Sequence, residues 1–185
     1  MKTAIATLES MSPYSQSRAH EAESLPKEGK DAYEKRTWKE RLHVDASGYV
    51  IIPPMAFKNC LSEAAKFLSM QIPGKGKATY TKHFEAGVLV LDPLRLSIKK
   101  TDVQDERLFV PADGQRGSGK RVWKHFPLIT EWGGDVTYSI LDETITEDVF
   151  AKVLEEAGKF IGIGRFRPRN NGYYGRFAVK KIKWS

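Results

Sequence analysis

The chain has 185 residues, of which 41% are hydrophobic and 29% are charged, and its net charge is +7. This composition is typical of a globular protein and excludes a disordered or collagen-like chain. The only cysteine, Cys60, excludes an internal disulfide and a cysteine-based zinc site. Because no apolar run could span a membrane and the first residues lack a signal-peptide core, we expect a cytoplasmic protein.

Charge and histidine spacing narrow the function further. The positive charge favours an anionic partner such as a nucleic acid. The four histidines are scattered along the chain without the spacing of metal ligands. We therefore expect neither a metal nor a cofactor.

Hydrophobic periodicity and turn residues predict the secondary structure in chain order. Residues 14–35 are polar and predict a long loop, whereas residues 46–48 separate two short apolar runs and predict a β-hairpin. Residues 87–91 form a nearly continuous apolar run, which is typical of a central strand buried on both faces. Residues 99–120 are polar and predict a protruding insertion. The predicted strands cover 3–8, 41–45, 49–52, 87–91, 136–141 and 176–184, and the predicted helices cover 56–69 and 144–161, with Thr144 or Thr146 as the N-cap of the second.

The first predicted helix has an apolar face that we expect to be buried. This face consists of Phe57, Leu61, Ala64, Phe67 and Leu68. With the hairpin and the polar insertion set aside, the order is strand, helix, strand, strand, helix, strand, which is the split βαβ or ferredoxin-like arrangement that RRM modules share. We therefore predict an α+β fold with a ferredoxin-like, RRM-like core, in a single domain over residues 1–185 with insertions at about 14–53 and 99–125.

The segment from Gly162 to Phe177, which we name the glycine–arginine segment, combines four glycines and four arginines with aromatic residues. Glycine lets a backbone come close to a ligand because it lacks a Cβ, and arginine presents a fork of donors that matches phosphate. From Lys159 to Ser185 the chain has eight Lys or Arg residues and no Asp or Glu. A solvated surface would mix the two signs, so the segment predicts binding of a polyanion.

Two weaker features point to the same kind of partner. Lys75 and Lys77 stand beside glycines, which suits a mobile loop that contacts phosphates, although solubility explains them equally well. Tyr173 or Tyr174 is expected to be exposed and able to stack on bases. The Gly162-Ile-Gly164 pattern is not a dinucleotide fingerprint, because it follows a helix rather than a strand.

Three segments of the chain resemble the RAMP (repeat-associated mysterious protein) superfamily. Residues 48–65 are similar to its strand that ends in Ile-Pro and leads into a helix bearing a lysine, here Lys58. Residues 162–177 resemble its glycine-rich loop, and residues 8–14 resemble the end of its first strand. Within this superfamily the chain resembles the RNA-binding backbone subunits of CRISPR effector complexes.

The resemblance implies a non-enzymatic subunit that polymerises along a single-stranded guide RNA and contacts its phosphates. The implied partners are that RNA, the DNA or RNA target paired to it, further copies of the chain and other subunits of the effector complex. The polar insertion would correspond to a thumb-like protrusion. The residues expected at the RNA are Lys58, Lys75, Lys77, Arg116, Lys120, Arg121, Gly162, Gly164, Arg165, Arg167, Arg169, Gly172, Tyr174, Gly175 and Arg176.

Two alternatives keep the same motifs. The first is a phage-type mimic, or anti-CRISPR protein, that occupies the position of a backbone subunit and blocks the complex. The second is a RAMP-type RNA-processing nuclease, which needs a titratable residue near the glycine-rich loop. His43 is the candidate for that residue, and its replacement should abolish cleavage if this alternative is right.

Overall fold

The computed structural model describes residues 1–185 as antiparallel strands and helices, that is, an α+β fold. The strands are β1 (Lys2–Ser10), β2 (Tyr49–Ile52), β3 (Val88–Leu89), β4 (Leu94–Lys99), β5 (Gln104–Pro111), β6 (Arg121–Leu128), β7 (Gly133–Ile140) and β8 (Phe177–Trp184). The α-helices are α1 (Lys30–Thr37), α2 (Pro54–Leu68), α3 (Thr81–Gly87) and α4 (Glu147–Glu156). Short 3₁₀ turns cover Trp38–Arg41, Lys100–Asp102 and Pro168–Asn170, and a π-helical turn, Ala157–Ile161, continues α4.

Four strands form the main sheet, in the order β3-β7-β1-β8 with every neighbouring pair antiparallel. Ala4 of β1 is buried and stands opposite Tyr138 of β7 and Trp184 of β8. Because side chains alternate between the faces of a strand, the other face of the sheet carries small, β-branched and charged residues such as Thr7, Asp135 and Lys181. None of the residues paired on that second face is aromatic.

Helices α2 and α4 pack against each other and against the first face of the sheet. The Thr146 Oγ1 accepts a hydrogen bond from the Val149 N–H (3.4 Å), so Thr146 is the N-cap of α4. The Phe150 ring of α4 lies 5.3 Å from the Tyr138 ring of β7. One cluster of 34 buried residues joins these helices to the sheet, so they share a continuous core.

Six predicted elements are confirmed, since β1, β2, α2, β7, α4 and β8 lie where the sequence pattern places them. The predicted long loop at 14–35 is partly wrong, because residues 14–16 are buried and α1 forms near its end. The predicted hairpin at 41–52 is reduced to one bridge between Val44 and Val50. The Asp45 N–H donates to the Tyr49 carbonyl oxygen and the Ile51 N–H to the His43 carbonyl oxygen at this bridge, and β2 also pairs with β4 in a second sheet of two strands.

Two predictions of burial are also wrong. The apolar run 87–91 does not form a central strand, because only β3 pairs, at the edge of the sheet, and Leu91 is exposed. A continuous apolar run does not distinguish an edge from a centre, and α3 takes its first residue, Gly87. Phe67 is exposed as well. A helix turns about 100° per residue, so Phe67 lies about 60° away from Ala64, at the margin of the buried apolar stripe.

The polar insertion predicted at 99–125 contains a two-stranded hairpin, formed by β5 and β6. Its register runs from Gln104 opposite Leu128 to Pro111 opposite Arg121. Helix α1 and the 3₁₀ turn that follows it pack along β6, so this strand anchors the hairpin to the rest of the chain. None of the helices combines the length and the apolar composition that crossing a membrane requires.

Candidate nucleic-acid interface

The glycine–arginine segment starts at the end of the π-helical turn and folds tightly against itself and the first loop. Gly164 and Gly175 both have φ near +80°, where a side chain is strained. A Cβ on Gly164 would lie 2.5 Å from the Ser15 carbonyl oxygen, and a Cβ on Gly175 would collide with the Ile163 carbonyl oxygen. Added Cβ atoms at Gly162 and Gly172 would also meet atoms of the segment itself. Packing within the chain therefore accounts for these glycines without a ligand.

Arg165 is the central side chain of this region. Its guanidinium lies 3.8 Å from the centre of the Phe126 ring and 5.0 Å from that of Tyr174. Its Nε donates to the Ser15 Oγ (3.1 Å), and its Nη2 lies 3.9 Å from the Glu106 carboxylate without forming a hydrogen bond. The side chain is only 14% exposed, and this burial lowers the pKa of Arg165. A cation is thus fixed, partly desolvated, where three segments meet.

Two open clefts lie on either side of Arg165. The first, of about 350 Å³, lies between residues 14–18, His43, the start of α2 and Gly164. The second, of about 370 Å³, lies between the β5–β6 hairpin, Arg41 and Phe166. Both clefts include Ser17 and Arg165 in their walls, so they adjoin there, and we describe them together as one groove.

The walls of this groove are basic. No Asp or Glu lines either cleft. Arg41 is paired with Glu34 at 2.8 Å, whereas Arg18, Arg116 and Lys124 have no carboxylate partner. A polyanion in the groove would therefore meet uncompensated positive charge. We name these residues the basic groove: Arg18, Arg41, His43, Arg116, Lys124 and Arg165.

His43 is the titratable group of the first cleft. Burial, and then repulsion by Arg18, lower the pKa of His43. The imidazole is therefore neutral at pH 7 and can accept a proton from a bound ligand. No group of three or more His, Cys, Asp or Glu side chains is arranged to hold a metal ion.

The tip of the hairpin meets the glycine–arginine segment across the second cleft. The Arg116 Nη2 donates to the Asn171 carbonyl oxygen (2.8 Å), and the guanidinium lies 5.6 Å from the centre of the Phe166 ring. Lys120 is exposed near the same tip. Arg121 is directed elsewhere, since it donates to the Phe109 carbonyl oxygen and lies over that ring.

Lys58, which the resemblance places at a phosphate, is engaged within the chain. Its Nζ donates to the Ser62 Oγ (2.7 Å), the Phe84 carbonyl oxygen (2.8 Å) and the Glu85 carbonyl oxygen (2.9 Å). Burial lowers the pKa of Lys58. The ammonium therefore fastens α2 to the end of α3, and a phosphate would have to displace these three acceptors.

The other expected cations divide into engaged and free side chains. Arg167 pairs with Glu63 at 2.6 Å, and the Arg176 Nε donates to the Lys159 carbonyl oxygen at 3.1 Å. Arg169 is exposed and forms no ion pair. Lys75 and Lys77 are likewise exposed, but their loop follows the far end of α2 and lines neither cleft of the basic groove.

Tyr174 is buried, and this corrects the expectation that its ring is available to a base. Its hydroxyl forms a hydrogen bond with the Glu106 carboxylate, and burial together with this bond raises the pKa of Tyr174 to about 12. The neighbouring Tyr173 is the exposed member of the pair. The Tyr174 ring thus packs against the Arg165 guanidinium, whereas the Tyr173 ring is exposed to solvent.

Three residues of the basic groove were not predicted from the sequence. Arg18 lies in the polar stretch interpreted as a long loop, Arg41 in the predicted hairpin, and Lys124 on β6. They come from three distant parts of the chain, and no spacing links them. Only the packing of residues 14–18 and the hairpin beside the glycine–arginine segment brings them together.

No protein-family model and no curated protein matches the chain. Among solved structures, the chain is similar to the crystal structure of Cmr6 from Pyrococcus furiosus, with 12% identity over 97% of each chain and a TM-score of 0.43. It is also similar to a chain of a CRISPR RNA-guided surveillance complex, with 8% identity over 98% of this chain and 68% of that one and a TM-score of 0.39. The predicted resemblance is confirmed as a resemblance.

Proposed function

We propose that the chain binds single-stranded RNA through its phosphates, as a backbone subunit of a CRISPR-type ribonucleoprotein. The observation that carries this proposal is the basic groove, whose two clefts contain no carboxylate in their walls. Exposed guanidinium and ammonium groups neutralise phosphates, and the counterions that they displace drive association. Recognition of this kind positions a strand without reading its sequence.

The sheet favours the groove over the alternative RNA surface. The order β3-β7-β1-β8, with α2 and α4 on one face, supports a ferredoxin-like core in a single domain with insertions at about 14–53 and 99–125. RRM modules of that topology stack bases on aromatic residues of the sheet. Here the second face of the sheet has no aromatic residue at its paired positions, so it lacks the rings on which bases would stack. We therefore assign RNA binding to the groove.

Within the groove we assign two kinds of role. Arg18, Arg116 and Lys124 are the unpaired cations that contact phosphates. Arg165 is held by Ser15 and Phe126 and presents a rigid charge between the two clefts. A charge that is already desolvated and oriented loses little freedom when a phosphate binds.

Purification without nuclease tests the proposal. We expect the chain to carry RNA, visible as a high ratio of absorbance at 260 nm to 280 nm, and to elute with a mass of several subunits. An RNA-free chain that binds no oligonucleotide at low salt would contradict the proposal. An RNA-free chain that binds added single strands would support RNA binding but contradict polymerisation without partner subunits.

One observation favours a second candidate, an RNA-processing nuclease. His43 lies in the first cleft with Gly164 and Arg165, and its lowered pKa leaves it neutral and able to act as a general base. It would take the proton of a ribose 2′-hydroxyl, whose oxygen attacks the adjacent phosphorus. The 5′-oxygen then leaves with a proton from water, and a 2′,3′-cyclic phosphate remains. Cleavage of labelled RNA that is lost in His43→Ala would favour this candidate over the first.

A further inference from the structure

Two phenylalanines that come from distant segments meet on the surface beside the glycine–arginine segment. Phe67 stands in the last turn of α2, and Phe160 stands in the π-helical turn after α4. Their ring centres are 5.8 Å apart with a tilt of 36°, yet the residues are 53% and 48% exposed. The pair thus forms a small aromatic surface that nothing within the chain covers.

Positive charge surrounds this surface. The Arg169 guanidinium lies 6.0 Å from the centre of the Phe67 ring, and Arg169 has no ion-pair partner. Lys66 is exposed beside Phe67 and is also unpaired. The carboxylates four residues before the two rings are both paired, Glu63 with Arg167 at 2.6 Å and Glu156 with Lys159 at 3.1 Å. An anionic ligand with flat apolar groups fits such a surface better than an apolar protein face does.

A further cleft lies along α2 between this surface and the basic groove. This cleft, of about 390 Å³, shares Met55 and Asn59 with the first cleft of the groove and extends along α2 to Lys66, the residue before Phe67. Its walls include the cations Lys58 and Lys66 and also the carboxylates of Glu63 and Glu85. From Asn59 to Phe67 the helix rises about 12 Å, at 1.5 Å per residue. A stacked strand of about three to four nucleotides covers that length at 3.4 Å per nucleotide.

We propose that Phe67 and Phe160 form a platform on which a base of single-stranded RNA stacks after the strand leaves the basic groove along α2. Arg169 and Lys66 would neutralise the neighbouring phosphates. This inference rests on the proposed RNA binding, and it adds a contact to bases where the groove contacts phosphates alone. Stacking accepts any base, so the platform would increase affinity without conferring sequence specificity.

Fluorescence anisotropy with two labelled probes tests the platform. One probe is a 15-nucleotide uridine RNA, and the other is an abasic phosphodiester of equal length, which keeps the phosphates but lacks bases. We expect Phe67→Ala with Phe160→Ala to weaken binding of the uridine RNA about tenfold or more and to leave binding of the abasic probe unchanged. Replacement of Phe67 by Trp should preserve binding of both probes, since the larger ring still stacks.

The matched control is Leu25→Ala with Leu91→Ala, which removes two other exposed apolar side chains and should change neither affinity. Equal binding of the uridine RNA by the platform variant and the original chain would overturn the platform and leave groove binding intact. An equal loss of affinity for both probes would also overturn the platform. A change in the mass of the assembly formed by the variant would overturn it too, because it would identify the phenylalanine pair as a protein interface. If the unmodified chain binds neither probe, the proposed function fails together with the platform.

Discussion

The chain contains two segments that combine glycines with cations, and the structure uses them in opposite ways. In the glycine–arginine segment, a Cβ on any of the four glycines would collide with neighbouring atoms. In the loop after α2, the space around Gly74 and Gly76 is empty. Arg165 and Arg167 are held by partners, whereas Lys75 and Lys77 are free. Similar composition therefore encodes a rigid support for the basic groove in one place and an open loop in the other.

The largest expected effect comes from the glycines themselves. Gly175→Ala should lower the free energy of unfolding by about 3 kcal/mol or more, because its Cβ would meet the Ile163 carbonyl oxygen at a strained φ. Gly76→Ala, at φ +60° with no atom nearby, should lower it by only about 1 kcal/mol. Urea denaturation of both variants measures the difference. Equal losses would remove the contrast between the two segments.

The next effect concerns Arg165. Arg165→Met keeps an apolar contact with the Phe126 ring but loses the hydrogen bond to Ser15, so we expect a loss of about 1–2 kcal/mol in stability. The slope of log affinity for RNA against log salt is negative, and its magnitude should decrease by about 0.7, the value for one phosphate contact on a single strand. Anisotropy titrations at several salt concentrations measure this slope. An unchanged slope would make Arg165 a structural residue only.

Acid should strengthen RNA binding through His43. Its pKa in the folded chain lies below the usual value, so it is neutral at pH 7 and gains its charge only as the pH falls below 6.5. The lowered pKa also makes the free protein less stable as the pH falls below 6.5, because folding disfavours the protonated imidazole of His43. We expect affinity to rise between pH 7 and pH 5, and this rise to be smaller in His43→Gln. An identical pH profile for both proteins would place RNA away from the first cleft.

The smallest effect concerns the open loop. Lys75→Ala with Lys77→Ala should change stability by less than about 0.5 kcal/mol, because neither side chain has a partner. The RNA affinity of this double variant should fall less than that of a groove variant, since the loop lines neither cleft. Thermal denaturation and anisotropy check both statements. A larger loss of affinity than in the groove would move the interface to the far end of α2.

The contrast also explains what the sequence could predict. Alternating and helical apolar patterns are local, and they located β1, β2, α2, β7, α4 and β8. The pairing of β2 with β4 and the edge position of β3 depend on distant strands, and no local pattern contains them. The glycine–arginine segment was found from its composition, but the burial of Tyr174 required knowledge of Glu106, 68 residues away. Arg18 and Lys124 carried no signal because the groove is assembled only by folding.

The most direct test of the account compares the salt dependence of RNA binding in two triple variants that lose the same charge. The groove variant is Arg18→Ala, Arg116→Ala and Lys124→Ala, and the control replaces the exposed residues Lys152, Lys181 and Lys183 with Ala. We expect the magnitude of the negative slope of log affinity against log salt to decrease by about 2 in the groove variant, about 0.7 for each phosphate contact, and hardly to change in the control. Equal slopes in the two variants would show that net charge, and not the basic groove, binds the strand.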